Sequence, residues 1–203
     1  MDQPVAKISN KKRKIINQYD SSSIFYDKRY RKIQERKYQI IFKNNNKIFK
    51  NSLILDLGCG TGLLNEYFLN LKKNPHDNLY FYVAIDISWN MLLEFKSKLH
   101  KLKDKNKLSL ILADIENLPF REDIFYSIIS LTSFQNLPNI NRGAKESIRV
   151  CRKNADFTFS ILKKSLDLER FIDFLKPVTK IEQVIKRDDL EDIIIRGKIL
   201  EKL

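Results

Sequence analysis

The stretch Leu55-Asp56-Leu57-Gly58-Cys59-Gly60-Thr61-Gly62 follows the apolar run Leu53-Ile54-Leu55 and leads into Leu63-Leu64-Asn65-Glu66-Tyr67-Phe68. It reads as a buried strand, a turn with three glycines and the start of a helix. Backbone without Cβ atoms can come close to a ligand. The free N–H groups of the helix start point at that ligand. The unit therefore predicts a nucleoside-like ligand held at the C-terminal end of a strand.

From this unit onward, strands and helices alternate. Strands are predicted at 52–57, 79–86, 107–113, 124–131 and 156–162, and helices at 62–72, 88–103, 140–152 and 165–175. Met91, Leu92, Phe95 and Leu99 form the inner stripe of the second of these helices. Two more apolar runs, 179–186 and 192–199, lie too close together for a helical crossover, so they are expected to pair antiparallel at one edge. The pattern predicts an α/β fold: a Rossmann-like doubly wound sheet of about seven strands, helices on both faces. The sheet is mostly parallel, with an antiparallel C-terminal edge strand. Ligands of such sheets sit at the strand C-termini near the switch point, where the turn at 56–62 falls. Upstream, residues 1–18, with Lys11-Lys12-Arg13-Lys14, are expected to form a flexible basic arm. Residues 19–50 are expected to form an N-terminal helical segment, its helix running over about 22–43 until Asn44-Asn45-Asn46 breaks it. Residues 51–203 form one domain.

The net charge of +13 is concentrated in the first part of the chain, where residues 1–50 hold 14 Lys/Arg against four Asp/Glu. Such an extension can attract RNA phosphates through counterion release. A chain rich in lysine throughout also carries such charge for solubility alone. Neither cysteine, Cys59 or Cys151, has metal-type spacing, so no metal site is expected. A reducing, cytoplasmic setting follows from the same cysteine usage. No apolar run reaches the roughly 18 residues that span a bilayer, and the lysine-rich start predicts no secretion.

Three carboxylates stand at strand ends. Asp86 closes the second strand and can accept from both hydroxyls of a ribose. Asp114 follows the third and can accept from the exocyclic amine of an adenine, with Ile115 packed on the ring. Asp56 can orient the glycine turn or meet a ligand ammonium. Each alone is equally a strand-end or N-cap residue; the three together, at this spacing, point to one adenosine-shaped site.

With these residues the chain resembles the class I S-adenosylmethionine-dependent methyltransferases, particularly the branch similar to ubiquinone and sterol methyltransferases. The matching stretches are Leu55–Gly62, Val83–Ser88 with Met91, Leu112–Phe120 and Leu131–Pro138. The resemblance implies S-adenosylmethionine as cofactor and 51–203 as the methyltransferase domain. It implies that Gly58, Gly60 and Gly62 line the methionine part, with Cys59 inside the same turn. It places Asp86 on the ribose, with Ile87 and Met91 beside it, and Asp114 and Ile115 on the adenine. Leu131 and Thr132 would close over the sulfonium. The helical segment 19–50, with Tyr26 and Tyr30, would be the cover over the cofactor. Two departures stand out: Tyr126 where the family often has Asp, and Arg152-Lys153-Asn154-Ala155 where it usually has a Pro-Gly-Gly turn. Asn154 can supply the positive φ that such a turn needs.

A sulfonium methyl is already activated, so the protein need only align an acceptor and exclude water. Candidates around it are Tyr26, Tyr30, Thr132, Gln135 and Asn136. Gln135 and Asn136 can orient an acceptor or serve as loop and cap residues, and the tyrosines can equally be core. His76 and His100 sit in polar stretches and receive no role. Cys59 and Cys151 are poorly placed as nucleophiles, which weighs against a cysteine-dependent pyrimidine methylation. No Asn/Asp-Pro-Pro-Tyr signature for base amines follows the fourth strand. The favoured acceptor at this level is an rRNA or tRNA nucleotide, bound through the basic extension. The alternatives are a small-molecule or quinone-like lipid precursor, and a non-catalytic subunit that binds the cofactor and activates a partner protein.

Overall fold

Strand β1 (Leu53–Leu57) is apolar on both faces, and both faces are covered. Leu55 and Leu57 point into one core, with Ile85, Phe125, Ile128 and Phe157. Ile54 points into the other, with Tyr82, Ala84, Phe68 and Phe95. This two-sided burial is why the strand reads as a continuous apolar run. The computed structural model describes residues 9–42, 53–71, 81–99 and 107–200. His76, His100 and the Asn44-Asn45-Asn46 break lie outside the described residues.

After β1 come α2 (Leu63–Asn70), β2 (Phe81–Asp86), α3 (Trp89–Leu99), β3 (Leu108–Leu112) and β4 (Phe125–Leu131). They are followed by α4 (Ile140–Val150), β5 (Cys151–Leu162), α5 (Leu168–Leu175), β6 (Thr179–Ile185) and β7 (Asp192–Ile199); helix α1 (Asn10–Phe42) precedes them all. The seven strands are ordered β3-β2-β1-β4-β5-β7-β6. β1 pairs parallel with β2 on one side and β4 on the other, so the chain reverses its direction of winding between them. Helices α4 and α5 carry caps at their starts: Asn139 accepts from the Arg142 amide and Asp167 from the Arg170 amide. No helix of the described residues is long and apolar enough to cross a membrane.

Two local expectations are corrected. The antiparallel strand is β7, as expected, but it lies inside the sheet between β5 and β6, and β6 takes the edge. Its apolar run Ile193-Ile194-Ile195 is fully used by this interior position. β5 starts at Cys151, directly after α4, rather than near 156, because Cys151 already pairs with Phe125. The extra residues form an irregularity around Asn154, which has the expected positive φ of 64°. Here the two departures meet, with the Arg152 guanidinium 4.4 Å over the Tyr126 ring.

The largest correction concerns the amino-terminal segment. α1 begins at Asn10, so residues 10–18 of the expected flexible arm are helical and continuous with the cover. Local pattern gives little support to this turn-rich, cationic stretch; tertiary contacts hold it. Ser9 starts the helix, its hydroxyl accepting from the Lys12 amide at 3.3 Å. Lys12 pairs with Asp114 and Glu116. Asp20 accepts from the Ser88 hydroxyl and the Asn90 amide at the start of α3. Asp27 bonds Thr61 and Lys98, and Arg31 reaches Glu66 on α2 at 2.7 Å.

Candidate active site

The glycine turn leaves β1 with the amides of Gly58 and Cys59 both donating to the Ile85 carbonyl at 2.9 Å. That pairing locks the turn against the end of β2. Gly60 has φ 54°, and a Cβ there would meet only the Tyr26 ring at 3.9 Å. The space is open to a ligand. Gly62 is different. It takes φ 82° at the N-terminus of α2, and a Cβ would fall 2.3 Å from the Phe95 ring. Gly62 therefore serves the packing of α2 on α3, and the structure does not bring it to the cavity wall.

The Asp86 side chain closes the turn. One carboxylate oxygen accepts from the Gly60 amide and the other from the Ser88 amide, each at 2.8 Å. Burial pushes its carboxyl up to about 6, against those backbone bonds, which favour the charged form. Each oxygen keeps a further lone pair for a ligand hydroxyl. Asp114 accepts from the Glu116 amide at 2.9 Å and holds Lys12.

A cleft opens over these groups. Gly58, Gly60, Asp86, Ile87 and Met91 form one side, and Asp114 and Ile115 the other. Leu131, Thr132, Ser133 and Asn136 from the end of β4 form the third wall, continued by Leu137 and Pro138. Its roof is α1, through Lys12, Ile15, Tyr19 and Tyr26. A second, smaller space shares Tyr26, Gly58, Gly60 and Leu131 with the first, and is lined further by Asp56, Cys59 and Gln34. Asp56 is buried, accepts from the Tyr82 hydroxyl, and is pushed up to about 7 by burial. The buried Gln34 side-chain oxygen has no hydrogen-bond partner among the described residues.

Other sequence candidates fall out of the cavity. Tyr30 packs against Tyr26 with the rings tilted at 45° and centroids 4.8 Å apart, and it lines neither space. Gln135 turns back to the Thr132 carbonyl. Asn136 stays, donating to the Tyr19 hydroxyl at 2.9 Å. Thr132 has φ 58°, rare for a β-branched residue. Its amide donates to the Ser160 carbonyl at 2.7 Å, and its hydroxyl lies between Lys37 and Asp192. Lys37 and Asp192, each 2% exposed, are 2.8 Å apart. Burial lowers the Lys37 pKa against the pull of Asp192. Burial also raises the thiols of Cys59 and Cys151 and the Tyr26 phenol. Sequence reasoning missed Lys12, Ile15, Tyr19, Lys37 and Asp192. The only local signal was the helical spacing of Lys12, Ile15, Tyr19 and Tyr26, hidden in a stretch that reads as an arm.

Asp86 and Asp114 offer acceptors suited to ligand hydroxyls and amines, and Asp56 with the unpartnered Gln34 oxygen offers acceptors suited to a cation. The open flank of Gly60 leaves room between the two halves. Fold and site define the class: class I S-adenosylmethionine-dependent methyltransferases. A family model described as "Methyltransferase domain" matches residues 55–159, and the chain belongs to that family. The ubiquinone/menaquinone biosynthesis C-methyltransferase UbiE of Rickettsia bellii is 31% identical over 140 residues, covering 66% of this chain and 56% of that protein. The chain thus spans about half the length of the curated relatives it matches. Among solved structures, magnesium protoporphyrin IX methyltransferase (ChlM) from Synechocystis PCC 6803, with bound SAM, superposes with a TM-score of 0.72 at 13% identity, covering 96% of this chain and 99% of that one. A putative methyltransferase solved in complex with the Haloferax volcanii Trm112 methyltransferase activator gives 0.68 at 13% identity, covering 90% and 98%.

Proposed function

We propose that this chain transfers a methyl group from S-adenosylmethionine to an apolar, quinone-like acceptor. The observation that carries the reading is the pairing, in one cavity, of the Asp86 and Asp114 carboxylates with apolar side chains of Ile15, Leu131, Leu137 and Pro138. When bound, the cofactor supplies a methyl group activated on sulfur. Asp86 would hold the ribose and Asp114 with Ile115 the adenine. Asp56 and Gln34 would face the amino-acid end, and Leu131 and Thr132 the region between. Ile15, Tyr19, Leu137 and Pro138 shape the remaining space and exclude water. The thiols and the Tyr26 phenol hold their protons too firmly to act as bases at neutral pH. An activated aromatic ring brings its own electron-rich atom and needs none of these groups as a base. The sequence likeness to UbiE supports the same acceptor class.

A second reading, methylation of an RNA nucleotide, is favoured by the cations on the outer face of α1. A third, dependence on a partner protein, takes support from the neighbour solved with its activator. The test is calorimetry with S-adenosylhomocysteine, followed by transfer of labelled methyl to quinone precursors, to total RNA, and to either with cell extract added. Asp86→Ala is expected to weaken binding of S-adenosylhomocysteine by about 1–3 kcal/mol, the cost of losing hydrogen bonds to a charged group. Unchanged affinity would remove the ribose assignment. Label entering RNA and no quinone precursor would replace the first reading by the second.

A further inference from the structure

Helix α1 has two faces with separate work. Its inner face roofs the cavity through Lys12, Ile15, Tyr19 and Tyr26. Its outer face carries Lys14, Phe25, Lys28, Arg29 and Lys32, all exposed and within one sector at helical spacing. Asp20 and Asp27 are turned away from that sector, and Glu35 stands at its margin, one heptad from Lys28. Asp20 bonds Ser88 and Asn90, Asp27 bonds Lys98, and Glu35 lies 3.9 Å from Arg31. Lys14, Lys28 and Lys32 have no carboxylate partner among the described residues. The sector itself thus carries cations and no acid, with Glu35 at its edge. Amid these cations Phe25 is 67% exposed and its neighbour Ile24 74%.

We infer that this face docks the protein on an anionic lipid surface. A helix of 33 residues is about 50 Å long and can lie along a membrane surface. Lysines and arginines are drawn to anionic headgroups, while a phenylalanine and an isoleucine enter the acyl boundary. Phosphate contact alone explains the cations and leaves the two bare apolar side chains unused; a lipid surface uses both. Contact of this kind is peripheral, consistent with the lack of a membrane-crossing helix among the described residues. The inference deepens the reading of an apolar acceptor. It says where that acceptor is met: at the surface on which the roof of the cavity rests.

The experiment is co-sedimentation of the full chain with phosphatidylcholine vesicles, and with phosphatidylcholine vesicles containing phosphatidylglycerol, at low and high salt. Calorimetry with S-adenosylhomocysteine runs in parallel on every variant. Binding is expected only to the anionic vesicles and to weaken with salt. Lys28→Glu with Lys32→Glu is expected to weaken it at least about tenfold. Ile24→Ser with Phe25→Ser is expected to weaken vesicle binding several-fold while leaving S-adenosylhomocysteine affinity unchanged. No vesicle binding, or binding indifferent to both pairs of substitutions, overturns the dock. So does tight binding of total tRNA that survives Ile24→Ser with Phe25→Ser while vesicles are ignored. S-adenosylhomocysteine binding without vesicle binding removes the dock and leaves the methyltransferase reading. Vesicle binding without S-adenosylhomocysteine binding supports the dock and removes that reading.

Discussion

Gly60 and Gly62 are two residues apart and look alike in sequence, yet they are expected to respond differently to alanine. Both require positive φ, which costs an L-residue about 1–2 kcal/mol. At Gly60 nothing else stands in the way, so Gly60→Ala should lower stability by about that amount and weaken S-adenosylhomocysteine binding. At Gly62 the new methyl group meets the Phe95 ring, and Gly62→Ala should cost about 2–5 kcal/mol. Urea unfolding of the two variants checks this; equal losses would show that the Phe95 contact yields freely. The glycine pattern announced a ligand turn, but which glycine faces ligand and which faces a helix depends on where α3 lies. Asp86 and Asp114 were legible because a strand end places its last carboxylate in the crevice whatever else surrounds it. Gln135 was misplaced because a short 3-10 turn, Phe134–Asn136, rotates it toward the backbone.

Among elements, α1 is anchored to the far side of the sheet by one buried ion pair, Lys37 with Asp192 of β7. The pair also holds the strained Thr132. Lys37→Met alone strands a buried carboxylate and is expected to cost about 3–5 kcal/mol. Lys37→Met with Asp192→Leu removes both charges and should recover much of that loss. Thermal unfolding of the two single variants and the double variant measures the coupling; simple additivity would contradict it. Neither residue could be read from sequence, since Lys37 sits in a lysine-rich helix and Asp192 beside other acids. Their partnership spans 155 positions. The strands were legible to within a few residues because both-face burial imposes long apolar runs. The start of α1 was not, since cations and asparagine at 10–18 carry no apolar period.

The pH profile of folding belongs to the whole molecule. Asp56 and Asp86 lie beneath one turn at the middle of the sheet, and both are raised from an ordinary 3.8, to about 7 and about 6. Each binds its proton more tightly in the folded chain than in the unfolded one. Their joint contribution to stability is therefore greatest near pH 4 and declines as pH rises toward 7. Asp56→Asn removes the larger part of that decline and should raise stability at pH 8 by about 1–3 kcal/mol, while the Tyr82 hydroxyl keeps an acceptor. Chemical denaturation across that range checks it; a profile with the same slope in both proteins would count against a raised Asp56.

By itself the sequence determined the alternating α/β architecture, the glycine turn, and the carboxylates at the ends of β2 and β3. These are properties of short segments, set by hydrophobic period and by backbone conformations open only to certain residues. The tertiary structure alone decided that residues 10–20 form a roof, that Lys12 meets Asp114, that β7 enters between β5 and β6, and that Lys37 meets Asp192. Each of those is a contact between segments far apart in the chain, and its stability comes from burial and charge pairing that exist only once the sheet has assembled.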